Sequence, residues 1–140
     1  MLAPKRIVHK KVHKLSKRHG TLKRGSTLVY GDYGLKAMQS SWLTSRQIEA
    51  ARQSISRACK GGKVFTRVFP SQPVTGKGLG TPMGSGVGAI DYFMFPVKPG
   101  RIIFEVSGIT DFAIIQNAFR IASNKLPFTT RTVSSQDLFQ

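Results

Sequence analysis

Apolar and polar positions follow two different periods along this chain, and together they predict two helices and several short strands. After the capping-box sequence Thr44-Ser45-Arg46-Gln47, apolar residues recur at spacings of three and four, so a helix should run to the glycines at positions 61 and 62. A second helix should span residues 111–125, with Thr110 as its N-cap. Stretches rich in β-formers predict strands at residues 26–30, 35–38, 63–69, 89–97, 101–106 and 128–133.

The order of these elements indicates the fold class and the domain organisation. Strands before and after each helix predict an α+β sandwich with one sheet system and both helices on one side of it. The Lys-Pro-Gly sequence at residues 98–100 should join its two flanking strands in a hairpin. We expect a single globular domain at residues 25–133, a basic arm at 1–24 and a polar tail at 134–140. Residues 70–88, rich in Gly and Pro, should form a long loop whose alternate glycines let the backbone approach something closely.

Charge narrows the class of partner. The chain has 22 Lys and Arg against six Asp and Glu, a formal net charge of +16, and residues 1–30 contain no acid at all. Like charges on such an arm repel one another, so we expect it to be extended alone and ordered against phosphates rather than to remain a solvated tail. A polyanion is the expected partner. An anionic membrane is the other candidate, but no apolar run in the sequence has the length needed to span one.

The inventory of reactive side chains does not favour an enzyme. The six acids are scattered, and no nucleophile elbow, phosphate-binding lysine loop or zinc-protease motif occurs, so we assign no catalytic residue. The single cysteine, Cys59, excludes an internal disulfide and a cysteine-based zinc site, and its helical surroundings predict a core or boundary residue. His9 and His13 have helical spacing but lie among cations that would repel a metal, so no metal and no cofactor are expected. An enzyme and a free-standing RNA chaperone are the alternatives to a structural RNA-binding protein.

A series of short motifs runs in order over nearly the whole chain, to about residue 133. They are Pro4-Lys5-Arg6, residues 30–37 (YGDYGLKA), residues 43–52 (LTSRQIEAAR), Arg67-Val68-Phe69-Pro70, Met83-Gly84 followed by Gly86 and Gly88, Pro99-Gly100-Arg101, Phe104-Glu105, and Lys125-Leu126-Pro127. Together these motifs resemble the bacterial-type large-subunit ribosomal protein of universal family sixteen. Each motif is weak evidence by itself, whereas the ordered set is specific.

The resemblance implies a hammerhead-like two-layer α/β sandwich with an extended basic N-terminus. It also implies binding to large-subunit rRNA near the peptidyl transferase centre and the elbow of the A-site tRNA, contact with neighbouring ribosomal proteins, and a role late in subunit assembly. Carried over to this sequence, the expected rRNA contacts are Lys5, Arg6, Lys10, Lys11, Lys14, Lys17, Arg18, Lys23, Arg24, Arg46, Arg52, Arg57 and Arg67.

The glycine-rich loop departs from the family's pattern. The family places an arginine directly before the Met-Gly pair and lysines between the glycines, where this chain has Pro82, Ser85 and Val87. The residues expected to face the A site are Lys77, Pro82, Met83, Gly84, Gly86 and Gly88, and Lys77 is the one cation left among them. We therefore expect weakened side-chain contact with tRNA. A start at the family's own first methionine leaves no room for a presequence, so we expect the protein to be made where it works, in a bacterium or in an organelle that encodes it. The changed loop and the unfamiliar tail favour a mitochondrial ribosome over a bacterial one.

Overall fold

The computed structural model describes residues 2–13, 20–84 and 86–135. The elements within these residues are β1 (Tyr33–Ala37), β2 (Ser41–Thr44), α1 (Ser45–Ala58), β3 (Lys63–Thr66), β4 (Gln72–Gly76), β5 (Ala89–Val97), β6 (Ile102–Ser107), α2 (Phe112–Ser123) and β7 (Thr130–Ser134).

The strands form two antiparallel sheets. Sheet A has the strand order β3-β6-β1-β7, and sheet B has the order β2-β5-β4. The two helices pack against each other; α1 contacts strands of both sheets, and α2 contacts β7. This arrangement confirms the α+β fold class with two helices, whereas the expectation of one sheet system is wrong.

The predicted hairpin between β5 and β6 is also wrong. β5 pairs with β2 and β4 in sheet B, whereas β6 pairs with β1 and β3 in sheet A. The turn at residues 98–100 carries the chain from one sheet to the other. The backbone amide of Gly100, at φ 91°, donates to the carbonyl oxygen of Ala37 (2.7 Å). A turn sequence reports only that the chain reverses, and the pairing partner is decided by residues elsewhere.

The helices form where the apolar spacing predicts them. Ile48, Ala51 and Ile55 of α1 are fully buried, as are Ile115 and Ala118 of α2, so each helix turns one apolar stripe to the core. Burying an isoleucine side chain contributes about 1.5–3 kcal/mol. Several such side chains therefore stabilise the packing of the helix pair on the sheets.

The helix caps agree with the sequence at α1 and differ at α2. Thr44 Oγ1 accepts a hydrogen bond from the amide of Gln47 (3.3 Å), and Gln47 Oε1 accepts one from the amide of Thr44 (3.0 Å), which confirms the capping box. The N-cap of α2 is Asp111 rather than Thr110, because Asp111 Oδ1 accepts from the amide of Ala113 (2.9 Å). A carboxylate at this end also interacts favourably with the helix dipole.

The strand predictions differ from the structure at three places. Residues 26–30 form no strand, and the amides of Val29 and Tyr30 have a different partner, described below. Two strands were missed: β2 precedes α1 directly, and β4 lies inside the stretch 70–88 that was predicted to be a loop. Pro73 in β4 is tolerated because β4 is an edge strand of sheet B. The connection between β4 and β5 is consequently residues 77–88, which we call the hairpin loop.

Candidate nucleic-acid interface

The described part of the basic arm exposes its cations. Lys5, Arg6 and Lys10 are all solvent-exposed. Lys11 is exposed too, and its Nζ donates to the carbonyl oxygen of Val87 in the hairpin loop (2.7 Å). Lys14, Lys17 and Arg18, which were also predicted to bind RNA, lie outside the described residues.

Residues 22–31, which we call the docked segment, lie along sheet A. The amide of Leu22 donates to the carbonyl oxygen of Pro99 (2.8 Å), and the amide of Ile102 donates to the carbonyl oxygen of Gly25 (3.1 Å). Lys23 and Arg24, between these two contacts, remain exposed. The backbone of Lys23 and Arg24 is therefore held on both sides by hydrogen bonds to the globular domain, while their charged side chains face solvent.

Glycines permit the close approach of the docked segment to the sheet. A Cβ atom on Gly34 of β1 would lie 2.4 Å from Cδ2 of Leu28, and one on Gly31 would lie 2.6 Å from the carbonyl oxygen of Val106. Neither distance occurs for real Cβ atoms, so a side chain at Gly31 would displace backbone, whereas one at Gly34 would displace only the tip of the Leu28 side chain.

A buried carboxylate holds the end of the docked segment. Glu105 is fully buried, and its Oε2 accepts hydrogen bonds from three successive amides: Val29 (3.2 Å), Tyr30 (2.6 Å) and Gly31 (3.0 Å). Its Oε1 pairs with the guanidinium of Arg67. Burying a carboxylate is costly unless it is paired and hydrogen-bonded, and both conditions are met here.

Sequence reasoning did not find this role of Glu105. A signal was present, since Glu105 stands inside the apolar run Ile-Ile-Phe-Glu-Val of β6, where all five residues are buried. An acid in such a position must have internal partners. The sequence alone could not name those partners, because the amides and the guanidinium come from distant parts of the chain.

One arginine pairs with this carboxylate, and a second arginine contacts the first. The side chain of Arg67, predicted to contact rRNA, is paired internally and is only 16% exposed. Arg101 donates from Nη2 to the carbonyl oxygen of Arg67 (3.0 Å), and its guanidinium lies 5.6 Å from the centroid of the Phe95 ring. Burial, and then the charge of Arg67, lower the pKa of Arg101. Sequence analysis assigned no role to Arg101.

The three arginines of α1 do not converge on one point. Arg46 and Arg57 are exposed near opposite ends of the helix. Arg52 is partly exposed and pairs with Glu49 through two contacts, Nε to Oε2 at 3.0 Å and Nη2 to Oε1 at 2.6 Å. This pair raises the pKa of Arg52 and lowers that of Glu49. Arg52 and Arg67 line one shallow cleft, whereas Arg46 and Arg57 line two others.

The hairpin loop projects from sheet B. Lys77 Nζ donates to the carbonyl oxygens of Gly84 (2.7 Å) and Pro82 (3.3 Å), so the one cation of the predicted A-site-facing set bridges the loop. Met83 at its tip is 97% exposed.

The predicted close approach of the loop glycines occurs at one position only. A Cβ on Gly88 would lie 2.1 Å from the carbonyl oxygen of Gly76, at the base of the loop. Gly84 and Gly86 face open space instead, and they adopt φ angles of 120° and 86°. Such angles favour glycine for conformational reasons, without a neighbouring surface.

No group of His, Cys, Asp or Glu in residues 2–13, 20–84 and 86–135 is arranged to hold a metal ion. Within those ranges, no helix is long and apolar enough to cross a membrane. Cys59 is buried, as predicted, and burial raises the pKa of its thiol.

These features define a small α+β protein with a distributed basic surface, the class that binds a polyanion. Residues 4–133 match the family model described as ribosomal protein L16p/L10e, so the chain belongs to this family. Its members are structural proteins of the large ribosomal subunit, which locates this chain in the ribosome. The family assignment favours this role over that of a free-standing RNA chaperone.

Proposed function

We propose that this protein binds large-subunit rRNA near the peptidyl transferase centre, with its hairpin loop facing the path of the A-site tRNA. It supports late assembly of the subunit and contacts neighbouring ribosomal proteins. The proposed rRNA contacts are the arm cations from Lys5 to Arg24 and the α1 residues Arg46, Arg52 and Arg57. The observation that carries the proposal is membership of the ribosomal family together with an exposed surface of uncompensated cations.

The distribution of ion pairs supports a role for the arm in particular. Among the described residues, Arg52 pairs with Glu49 and Arg67 pairs with Glu105, whereas no described arm cation pairs with an acid. Unpaired cations release condensed counterions when they bind RNA, which makes binding strong and steeply dependent on salt. Arg67 differs from the other cations because its guanidinium pairs internally with Glu105. Only the part of its side chain that lines the cleft beside Arg52 can contact RNA.

The hairpin loop supports a contact with tRNA through backbone and shape rather than charge. Lys77 already donates to two loop carbonyl oxygens, and Pro82 and Val87 supply no cation. We propose that Met83 and the glycines Gly84, Gly86 and Gly88 face the A site. The same loss of loop cations leads us to place the protein in a mitochondrial ribosome in preference to a bacterial one.

The test is a structure of the purified large subunit at side-chain resolution, after a high-salt wash and with the chain quantified against other subunit proteins. We expect one copy per subunit, the arm along rRNA and the hairpin loop at the A-site cleft. A chain found mainly outside ribosomes, or at the periphery of the particle, would contradict the proposal. Purifying the subunits separately from mitochondria and from the surrounding cytoplasm tests the compartment.

A further inference from the structure

Four side chains form a row on the outer face of sheet A, and the functions above do not account for it. The rings of Tyr30 and Phe65 stack with centroids 5.5 Å apart and planes inclined by 25°. The guanidinium of Arg67 lies 5.1 Å from the centroid of Tyr30, and Lys63 Nζ lies 5.2 Å from the centroid of Phe65. The two stacked rings thus stand in the middle of the row, with one cation at each end.

The row leaves one aromatic ring open to solvent. Phe65 pairs with Glu105 across β3 and β6, and Arg67 lies two positions further along, so both side chains project from the same face of the sheet. Tyr30, in the docked segment, contacts both of them, yet it is 60% exposed. Its contacts therefore lie on the sheet side, and its remaining surface is available to a ligand.

The exposed ring is held in position before any ligand arrives. The amide of Tyr30 donates to Glu105 at 2.6 Å, and the amides on either side donate to the same carboxylate oxygen. Fixing the backbone at three consecutive residues lowers the entropy lost when a ligand stacks on the ring. A ring that served only to cover the sheet would not need to remain so exposed.

We propose that Tyr30 is a stacking platform for one unpaired RNA base, with the exposed Lys63, at the far side of Phe65, providing positive charge nearby. This inference rests on the proposed rRNA-binding function and names a site and a ligand class within it. Unpaired bases stack on aromatic side chains and on guanidinium planes, and basic residues beside the ring attract the backbone phosphates. The charge of the chain, +16, favours RNA over a protein partner at this surface.

The experiment measures the affinity of the full-length chain for a short mixed-sequence RNA, either single-stranded or annealed to its complement. The variants are Tyr30→Ala and Tyr30→Phe. The matched control is Val29→Ala, since Val29 is 63% exposed, is adjacent, and also donates its amide to Glu105. We expect Tyr30→Ala to weaken single-strand binding about tenfold, because stacking on one ring contributes that much, and to leave duplex binding nearly unchanged. Tyr30→Phe and Val29→Ala should bind like the wild type.

Salt dependence separates stacking from phosphate contact. The slope of log affinity against log salt should be the same for Tyr30→Ala as for the wild type, because no phosphate contact is lost. For Lys23→Ala the slope should fall in magnitude by about 0.7, the value for one contact to a single strand. A Tyr30→Ala variant that alters the slope in the same way as Lys23→Ala would overturn the stacking role.

The remaining outcomes distinguish failure of the platform from failure of the proposed function. Thermal unfolding identifies any loss of fold in Tyr30→Ala, and Tyr30→Leu, which keeps apolar bulk without a ring, then replaces it. A folded variant without the ring that binds single-stranded RNA as tightly as the wild type overturns the platform and leaves rRNA binding intact. A wild-type chain that binds neither RNA overturns both.

Discussion

The docked segment and the hairpin loop are both irregular, glycine-containing stretches beside a sheet, yet they are held in different ways. The docked segment ends on a fully buried carboxylate that accepts three amide hydrogen bonds and an arginine. The hairpin loop is bridged by the exposed ammonium group of Lys77. Leu28 of the docked segment packs onto Gly34, whereas Leu79 and Met83 of the loop are almost completely exposed.

A segment without regular secondary structure is therefore not mobile for that reason alone. Hydrogen bonds to a charged, buried acceptor are stronger than those made at the surface, because water does not compete for the acceptor. We therefore expect the docked segment to behave as part of the domain and to present Lys23, Arg24 and Tyr30 in fixed positions. The hairpin loop should open locally at a much lower free energy.

The largest expected effect on stability comes from replacing the side chain that anchors each region, Glu105 in one and Lys77 in the other. Glu105→Gln removes the charge that pairs with Arg67 and leaves a mostly buried guanidinium without its partner, so the free energy of unfolding should fall by about 3 kcal/mol or more. The loop counterpart, Lys77→Gln, should change it by less than about 1 kcal/mol, since its bonds are exposed. Urea unfolding measures both values. Similar losses for the two variants would contradict the distinction between the regions.

An intermediate effect is expected from adding one methyl group in each region. Gly31→Ala places a Cβ 2.6 Å from the carbonyl oxygen of Val106, so the backbone must shift, at a cost of about 1–3 kcal/mol. Gly78→Ala in the hairpin loop meets only Thr81 Oγ1, at 3.6 Å, and should stay within about 0.5 kcal/mol of the wild type. Thermal and urea unfolding of the two variants give the comparison. An unchanged stability of Gly31→Ala would mean that the docked segment can leave the sheet freely.

The smallest effect on stability is expected from the Arg52–Glu49 ion pair. Its carboxylate is partly exposed, so it shows how much an ion pair stabilises the fold without full burial. Hydrogen bonding from Arg52 lowers the pKa of Glu49, so its stabilisation is present at neutral pH and is lost as the pH falls through the lowered pKa, below the usual value of about 4.3. Glu49→Gln should cost less than about 1 kcal/mol at pH 7. The stability of Glu49→Gln should converge with that of the wild type once the pH lies below the lowered pKa of Glu49. A difference that persists in acid would assign the effect to packing instead of charge.

Local patterns were sufficient for some parts of the fold and insufficient for others. The capping box and the spacing of Ile48, Ala51 and Ile55 correctly predicted α1, because a helix satisfies its own backbone within a few residues. The turn at residues 98–100 was recognised, but its two strands were wrongly paired with each other. Sheet pairing joins residues that are distant in the chain, and a turn does not specify it.

The candidate site shows the same division. The excess of cations and their concentration in the arm are evident in the sequence, and so is the family resemblance that the family model confirms. The assignment of Arg67 as an RNA contact followed from residue type alone, and it stays a prediction with a competing internal partner. The contact between Tyr30 and Phe65 was not predicted, since the two residues are far apart in sequence. They meet because residues 22–31 fold back over β3 and β6.

Charge and helical periodicity are properties of composition and near neighbours, so they were sufficient to predict the class of partner and the positions of the two helices, and the ordered motifs were sufficient for the family. The three-dimensional fold was needed to show which carboxylate is buried, which cations remain unpaired and which aromatic ring is presented to solvent. These outcomes depend on the docked segment lying on sheet A. Its hydrogen bonds reach Glu105 across the fold, and a carboxylate has no preferred partner until the chain has brought donors and acceptor together.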